Sequence, residues 1–551
     1  MWSWGFANIS DPDTVELGTD IASFVEHVSK FNSFMWFHNL KFDGKFLLDF
    51  LLRESYIHTT EDGVEPYTFQ TLIDGHGNIY SITVRWPGGS TTEFRDSLKK
   101  LPFGVARVAE SFNLDIGKGS IDYHKTRPIG YEPSEEEWEY LRLDVSIMAK
   151  AMAIVIGNGM DKLTVSGDAM AEYKSLVGSK SFKAAFPIFS FELDAELRRA
   201  YRGGWTYCDP RFSKRVTGPG LVFDVNSLYP SVMANELIPY GEPEFVSGRV
   251  EPTKMRPLTI FSVELIAKLK TNHLPCIQIK NSMSFVATDY LTEIKEPTTL
   301  MVTNIDWELY KEHYDITVVS WGGGWRFKAA RGMFKAYINK WSKIKAEATG
   351  GLREIAKLHL NGLYGKFATN PTIQGKFPVI EDNILKFKML PDEIRDPVYT
   401  PAGVFITSHA RALTIRTAQA NYDVFAYADT DSLHLLTTET PEGIDVHPSR
   451  MGAWKLEYKF EQAVYAGSKR YSERLYDYPC EKNYKDAGGM LHKEHGEWCK
   501  HITHISGVGP KTARMMVLSD MRDQNVLYGN LRPKVVPGGV VLIDSPFTLR
   551  V

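Results

Sequence analysis

The chain has 551 residues, 43% of them hydrophobic and 24% charged, with a formal net charge of −3. That length exceeds what one hydrophobic core supports, so several domains are expected, and no apolar run approaches the ~20 residues a bilayer-crossing helix needs. Four dispersed cysteines (Cys208, Cys276, Cys480 and Cys499) argue against a disulfide framework, and with no secretory or anchoring segment the expected site is the cytoplasm.

In chain order, Trp2 to Ile9 and Phe34 to Phe37 read as strands and Phe42 to Leu52 as a helix, so the chain opens as α/β. Asp11 and Asp13 fall in a turn after the first strand. Ser134 with Glu137 forms a capping box, and the helix it starts places Tyr140 and Asp144 on one face. Since a near-neutral charge does not advertise nucleic-acid binding, a DNA path must come from local patches. Candidates are Lys174 to Lys183, then Arg198, Arg199 and Arg202, then Lys214 with Arg215; each also fits a solvated surface. Gly203-Gly204 marks a joint between domains, after which Gly220 to Val225 reads as a buried strand and Asn226 or Ser227 as a helix start. Residues 236 to 332 are strand-rich, an inserted subdomain. Residues 333 to 349 and 352 to 367 form a helical hairpin separated by Gly350-Gly351, 371 to 398 a β-hairpin insertion, and from 399 onward short strands and helices alternate.

Three motifs carry the chemistry. Tyr427-Ala428-Asp429-Thr430-Asp431-Ser432 puts two carboxylates at i and i+2 of an apparent strand, where they can share divalent cations; a calcium loop, a phosphatase-like pair or a solvated turn also fits. Asp224-Val225-Asn226-Ser227-Leu228-Tyr229-Pro230 ends a buried strand on an acid, which is costly unless paired or metal-bound, although a helix cap also fits. The helical hairpin sets Lys357, Asn361 and Tyr364 on one face and brings Lys345 level with Lys357, so that two ammonium groups face one gap suited to a triphosphate; a surface hairpin with solvated lysines also fits.

Together and in this order, these motifs resemble the A, B and C motifs of family B DNA polymerases. Tyr201-Arg202-Gly203-Gly204 resembles the family's linker motif, and Lys469-Arg470-Tyr471 its K-x-Y motif. The similarity runs nearly end to end to protein-primed phage replicases of the phi-twenty-nine type. It implies an RNase H-like exonuclease domain (1–165), a linker and first palm part (166–235), an insertion of the terminal-protein-region type (236–332), fingers (333–370), a second insertion (371–398), a second palm part (399–500) and a thumb (501–551). It also implies a monomer binding primer-template DNA, dNTPs and a terminal protein as primer, with two Mg²⁺ ions for which Mn²⁺ can substitute. Asp224, Val225, Asp429 and Asp431 would form the metal site, Asp429 as the weaker partner. Tyr229 would stack under the sugar, Tyr364 on the nascent pair, and Lys345, Lys357 and Asn361 would take the nucleotide. DNA contacts would include Tyr201, Gly203, Gly204, Ser227, Thr430, Lys469 and Tyr471. Gly362 departs from the family's usual Ser. A catalytically silent DNA-binding protein of the same shape is the alternative.

In the amino-terminal domain, the segment His38 to Gly44 resembles the second proofreading motif, with Asp43, and Tyr140 with Asp144 resembles the third. Lys118 would assist, and Asn39, Phe42, Ser97 and Leu98 would hold the single-stranded primer end; Asn39 and Asp43 also fit a simple helix cap. The first motif, an Asp-x-Glu pair, has no counterpart in the opening strand that starts Met1-Trp2-Ser3-Trp4, so weak proofreading is expected, an upstream reading frame being the other explanation. Cys480, His492, His495, Cys499 and His501 have zinc-like types, but their spacing fits a charged loop better.

Overall fold

The computed structural model describes residues 3–60, 65–123, 125, 127–128, 130–278, 290–476, 478–479, 498–499, 502–506 and 526–548. Strands β1 (Trp4–Asn8) and β2 (Asp11–Gly18) pair antiparallel. Asp11 and Asp13 therefore lie on a strand, not in a turn, and Asp13 meets Lys150 at 2.6 Å. After α1 (Ile21–Val28) comes a five-stranded sheet in the order β3-β7-β6-β5-β4, built from β3 (Ser33–Phe37), β4 (Ile57–His58), β5 (Thr68–Ile73), β6 (Ile79–Arg85) and β7 (Thr91–Asp96). Helix α2 (Leu40–Arg53) repeats Leu40, Gly44, Leu47, Leu48 and Leu51 at helical spacing, and that stripe packs on Ile79, Ile82 and Phe94. Helix α3 (Val105–Ser111) precedes α4 (Glu135–Gly157), which opens on the expected capping box: the Ser134 N–H donates to the Glu137 carboxylate at 3.0 Å and the Glu137 N–H to the Ser134 hydroxyl at 3.3 Å.

Helices α5 (Val165–Val177), α6 (Ser179–Ala185) and α7 (Phe191–Arg198) lead to the second half. Two arginines that were candidates for a DNA path or a solvated surface are buried instead. Arg198 donates to Asp194 at 3.0 Å and to the carbonyls of Ala368 and Thr369, while Arg202 donates to the carbonyls of Arg199 and Gln278; the remote carbonyls of Ala368, Thr369 and Gln278 left no local trace in the sequence.

Strands β8 (Thr206–Cys208), β9 (Val216–Thr217) and β10 (Gly220–Val225) and helix α8 (Leu228–Asn235) begin the central unit. The insertion forms its own sheet, ordered β11-β14-β12-β13 from β11 (Ile238–Val246), β12 (Leu258–Leu269), β13 (Glu293–Thr303) and β14 (Tyr314–Ala330), with helix α9 (Asn304–His313), which the strand-rich reading lacked. Helices α10 (Lys335–Glu347) and α11 (Gly350–Phe367) make the expected hairpin. Strands β15 (Thr372–Ile373), β16 (Lys376–Glu381), β17 (Ile384–Met389) and β18 (Glu393–Ile394) form the second insertion, β16 pairing β17 and β15 pairing β18. Beyond residue 399 the chain is not a simple alternation of short elements: α12 (Thr400–Ala420) is a 21-residue helix with 16 residues buried. Then come β19 (Phe425–Asp429), β20 (Ser432–Leu435), β21 (Trp454–Gly467), β22 (Arg470–Tyr476), β23 (Tyr478–Pro479), β24 (Trp498–Cys499), β25 (Ile502–Ser506), β26 (Val526–Val536) and β27 (Gly539–Thr548). The central sheet runs β25-β22-β21-β10-β20-β19-β8, with β9 on β21.

One apolar cluster joins Val108, Phe112, Ile147 and Met152 of the amino-terminal helices to Ala169 and Tyr173 of α5, Phe223 of β10 and Leu363 of α11. A second cluster fills the five-stranded sheet and takes in Leu385 of the second insertion, with Val535 of β26 packed against it.

Candidate active site

Two strands that flank β20 carry the first two acids. β10 sets Asp224 opposite Ser432 of β20, and β19 sets Asp429 opposite the same residue. The apolar residues before each acid are buried, so the carboxylates emerge where the sheet's core ends. Asp431 is not on a strand, as its spacing suggested: β19 stops at Asp429, and Thr430 turns the chain at φ +63°, a conformation costing a β-branched residue roughly 1–2 kcal/mol. Hydrogen bonds hold this turn at every peptide. The Thr430 N–H donates to Trp205 O at 2.8 Å, Asp431 N–H to Asp429 O at 2.7 Å, Val225 N–H to Asp431 O at 2.8 Å, and the Thr414 hydroxyl to Thr430 O at 2.8 Å. Gly204 lies directly beneath; a Cβ there would sit 2.4 Å from the Thr430 hydroxyl, so only glycine admits the close approach.

The electrostatics single out a pair. Burial, then the charges of Asp431 and Glu457, push the Asp224 carboxyl up to about 8. Burial, with Asp429 and Glu457, pushes Asp431 up to about 6. Asp429 is engaged elsewhere: Lys469 Nζ lies 2.7 and 2.9 Å from its oxygens, and the Thr206 hydroxyl donates to it at 3.0 Å. All three acids line a cavity of about 530 Å³ together with Glu457, Tyr458 and Lys469. Glu457 escaped the sequence reading because nothing local marks it; only the pairing of β21 with β10 brings it near Asp224. Among the described residues no three His, Cys, Asp or Glu side chains already form a metal cluster. The Asp224 and Asp431 pair, each held above the ordinary carboxylate range partly by other acids, is nevertheless what a divalent cation relieves. Val225 is buried at the end of β10.

Beside this cavity, Lys345 Nζ donates to the Ser227 hydroxyl at 3.1 Å, and Ser227 precedes α8 at φ +55° with its hydroxyl making no cap, so the alternative of a simple side-chain cap is not found there. Burial, then Lys357 and Arg353, lowers the Lys345 pKa, so the facing lysines of the sequence reading are real neighbours. Lys357 is held by Glu354 at 2.9 Å; Asn361 on the same face is exposed and Tyr364 half-buried. The Tyr229 and Tyr364 rings stack at 4.4 Å, and the Tyr201 and Tyr364 hydroxyls meet at 3.0 Å. The hairpin breaks at Ala348 and Thr349, not at its glycines. Gly350 and Gly351 open α11 where a Cβ on Gly351 would lie 2.5 Å from the Phe112 ring. Gly362 likewise lets α5 close in, since a Cβ would meet Val165 Cγ1 at 3.0 Å. Sequence reasoning missed His359, which stacks on Trp341 at 3.9 Å and whose Nδ1 lies 3.1 Å from Glu172.

The amino-terminal site is a separate groove of about 2320 Å³, lined by Phe42, Asp43, Ser97, Tyr140 and Asp144 among others. Asn39 adopts φ +79° and makes no side-chain cap, which removes the capping alternative for it; its N–H donates to Asp96 at 3.0 Å, as does that of Leu98. Burial, with Asp96, pushes Asp43 up to about 7. Lys118 pairs with Asp144 at 3.3 Å, and Tyr140, its pKa raised first by burial, meets the Tyr123 hydroxyl at 2.8 Å. Tyr471 is largely buried against Tyr427 at 5.1 Å. The Cys/His group near 480 to 501 lies outside the described residues, apart from the backbone of Cys499.

An acidic pair emerging from a central antiparallel sheet, faced by a lysine-bearing helical hairpin and flanked by a second acidic groove, defines a nucleic-acid polymerase with an appended exonuclease-type domain. Residues 27–448 match the family model described as DNA polymerase type B, organellar and viral. The DNA polymerases of Bacillus phages PZA and phi29 are each 39% identical over 100% of this chain and 96% of their own length, and that of Streptococcus phage Cp-1 is 30% identical with the same coverage. The solved phi29 DNA polymerase with primer-template DNA and incoming nucleotide superposes with a TM-score of 0.91 at 38% identity, covering 100% of this chain and 96% of that one; an orthorhombic crystal form of the same enzyme gives 0.93. The chain belongs to the viral family B DNA polymerases of the phi29 type and is a DNA-directed DNA polymerase.

Proposed function

We propose that this polymerase replicates viral or linear-element DNA in a host's cytoplasm, as a monomer, starting from a terminal protein and displacing the non-template strand. The observation carrying the reading is the convergence of Asp224 and Asp431 on one cavity, with the Lys345 charge near enough to act on Asp224. The sequence-based division at 165, 235, 332, 370, 398 and 500 into exonuclease-like domain, palm, fingers, thumb and two insertions is part of the proposal. The solved relative was captured with primer-template DNA and with incoming nucleotide, which supports the same partners here.

Asp224, Asp431 and Val225 would hold two Mg²⁺ ions, or Mn²⁺, with Asp429 in a lesser part; when bound, such ions activate a primer 3′-hydroxyl and neutralise departing pyrophosphate. The chain's own groups do the positioning. Lys345 and Lys357 take the triphosphate, whose charge offsets their mutual repulsion, and Asn361 lies on the same face. The stacked Tyr229 and Tyr364 form a flat floor for sugar and base, steadied by the Tyr201 hydroxyl. Lys469, beside Asp429, would steady the primer end, while Gly203, Gly204, Ser227, Thr430 and Tyr471 would shape the DNA track. Extension of a primed single-stranded circle without helicase tests the reading. Products longer than one circuit are expected; no incorporation of any dNTP would favour a silent DNA-binding protein instead.

The exonuclease-like groove of these 551 residues supports slow hydrolysis at best. Strand β1, which lines the groove, carries no carboxylate, and Asp144 is paired with Lys118, so cation binding there is weak. Digestion of a labelled single strand with Mg²⁺ is expected to be slow and nearly unchanged by Asp43→Ala; brisk digestion abolished by that change would contradict this.

A further inference from the structure

The turn that carries Asp431 is strained at Thr430, and one of its four clasps comes from a side chain outside the sheet. Helix α12 contains four buried threonines: Thr400, in its first turn, donates to Asp194, and of the three farther along one departs from the habit of the other two. Thr407 donates to the carbonyls of Gly403 or Val404, and Thr417 to Leu413 at 2.9 Å, the usual back-bond of a helical threonine. Thr414 has a back-bond available to Ala410 at 3.2 Å, yet its shorter contact, 2.8 Å, leaves the helix for the carbonyl of Thr430. A hydroxyl has one proton, so the shorter contact takes it. Thr414 is fully buried, and no water can replace the bond.

We propose that Thr414 is a positioning residue for the metal-binding turn. Its hydroxyl fixes the peptide between Thr430 and Asp431, and with it the direction in which the Asp431 carboxylate leaves the backbone. The helix is itself anchored one turn earlier: Arg411 donates to the carbonyls of Arg202 and Gly203, just ahead of the Gly204 on which Thr430 rests. Thus α12 sets the spacing between the linker segment and the acidic turn, and Thr414 transmits that spacing to Asp431. Removing the hydroxyl frees the Thr430 carbonyl to rotate without touching a metal, a nucleotide or DNA.

This inference rests on Asp431 as a metal ligand. Thr414→Val keeps shape and removes the donor, whereas Thr414→Ser keeps the donor. With Val, kcat for primer extension is expected to fall about tenfold and half-saturating Mg²⁺ to rise severalfold, with the KM for dNTP within about twofold. The Mn²⁺-induced rise in melting temperature, read without DNA or nucleotide, is expected to shrink, and Thr414→Ser to restore all three. Thr417→Val, which removes only a back-bond, is the control for helix stability. A Thr414→Val protein that melts lower but keeps the wild-type kcat and Mn²⁺-induced rise overturns the proposal, as does failure of serine to rescue. A wild-type chain with no metal-induced rise overturns the metal reading beneath it. If Thr414→Val does not accumulate folded, Thr414→Cys, similar in volume but a weak donor, takes its place with the same outcomes.

Discussion

Asp224→Asn is expected to cut primer extension by about three orders of magnitude and, in chelator, to make the protein melt at a higher temperature than the wild type at alkaline pH. The activity loss follows from removing one of the two carboxylates proposed to hold the metal among the four that line the cavity. The stability gain follows from burial and from Asp431 and Glu457, which push the Asp224 carboxyl up to about 8. A folded-state pKa above the unfolded value of ~4 means the folded chain keeps a proton the unfolded chain has released. Stability from this group is therefore complete below pH ~4 and declines as pH rises through about 8. Asparagine carries no charge to suppress, so the variant's advantage should grow across that window and level off above it. Saturating Mg²⁺ should erase the advantage by stabilising only the wild type. Melting curves at several pH values, with and without metal, check this; a variant that melts lower at every pH would contradict it.

Asp306→Ala should produce a larger stability loss than any other substitution named above, about 3–5 kcal/mol, because it leaves a buried guanidinium unpaired. Asp306, on α9 of the first insertion, receives Arg411 through contacts of 2.7 and 2.8 Å and also accepts from Ser408 and Thr303. Burial alone would raise its pKa, but Arg411 outweighs burial and holds it below the ordinary value. This group's stabilisation is thus present above pH ~4 and lost as pH falls through its folded pKa. Denaturant unfolding measures the effect. Asp306→Leu with Arg411→Met should recover only part of it, because the Arg202 and Gly203 carbonyls then lose their donors. An unchanged midpoint for Asp306→Ala would mean the pair is dispensable.

What the sequence disclosed was whatever leaves a local imprint. The strand ending on Asp224, the Ser134 and Glu137 box and the lysine spacing of the hairpin all depend on residues within a few positions of one another, and the structure contains all of them. Helix α12 left no such imprint: with 16 of 21 residues buried it keeps only a narrow outer stripe at His409, Leu413, Arg416 and Gln419, and its buried Thr, Ser and Arg residues break any apolar run. The placement of Asp431 in a turn was hidden because Thr430 is not a residue that announces a positive φ. Arg198 and Arg202 resembled a basic patch because, beside the local partners Asp194 and the Arg199 carbonyl, the acceptors that complete their burial lie far along the chain, and Glu457, Glu172 and His359 matter only through pairings between elements far apart in the chain.

The apolar cluster that runs from the amino-terminal helices into the hairpin sets a limit on how this protein can be taken apart. Lys100, before α3, is fully buried against Asp168 of α5, and Phe112 presses on the first turn of α11. A cut near residue 165 would separate Lys100 from Asp168 and leave an unpaired ion and a bare greasy wall on both pieces. Neither fragment should be soluble by itself, and swapping this region between relatives should succeed only when α3, α4 and α5 travel together.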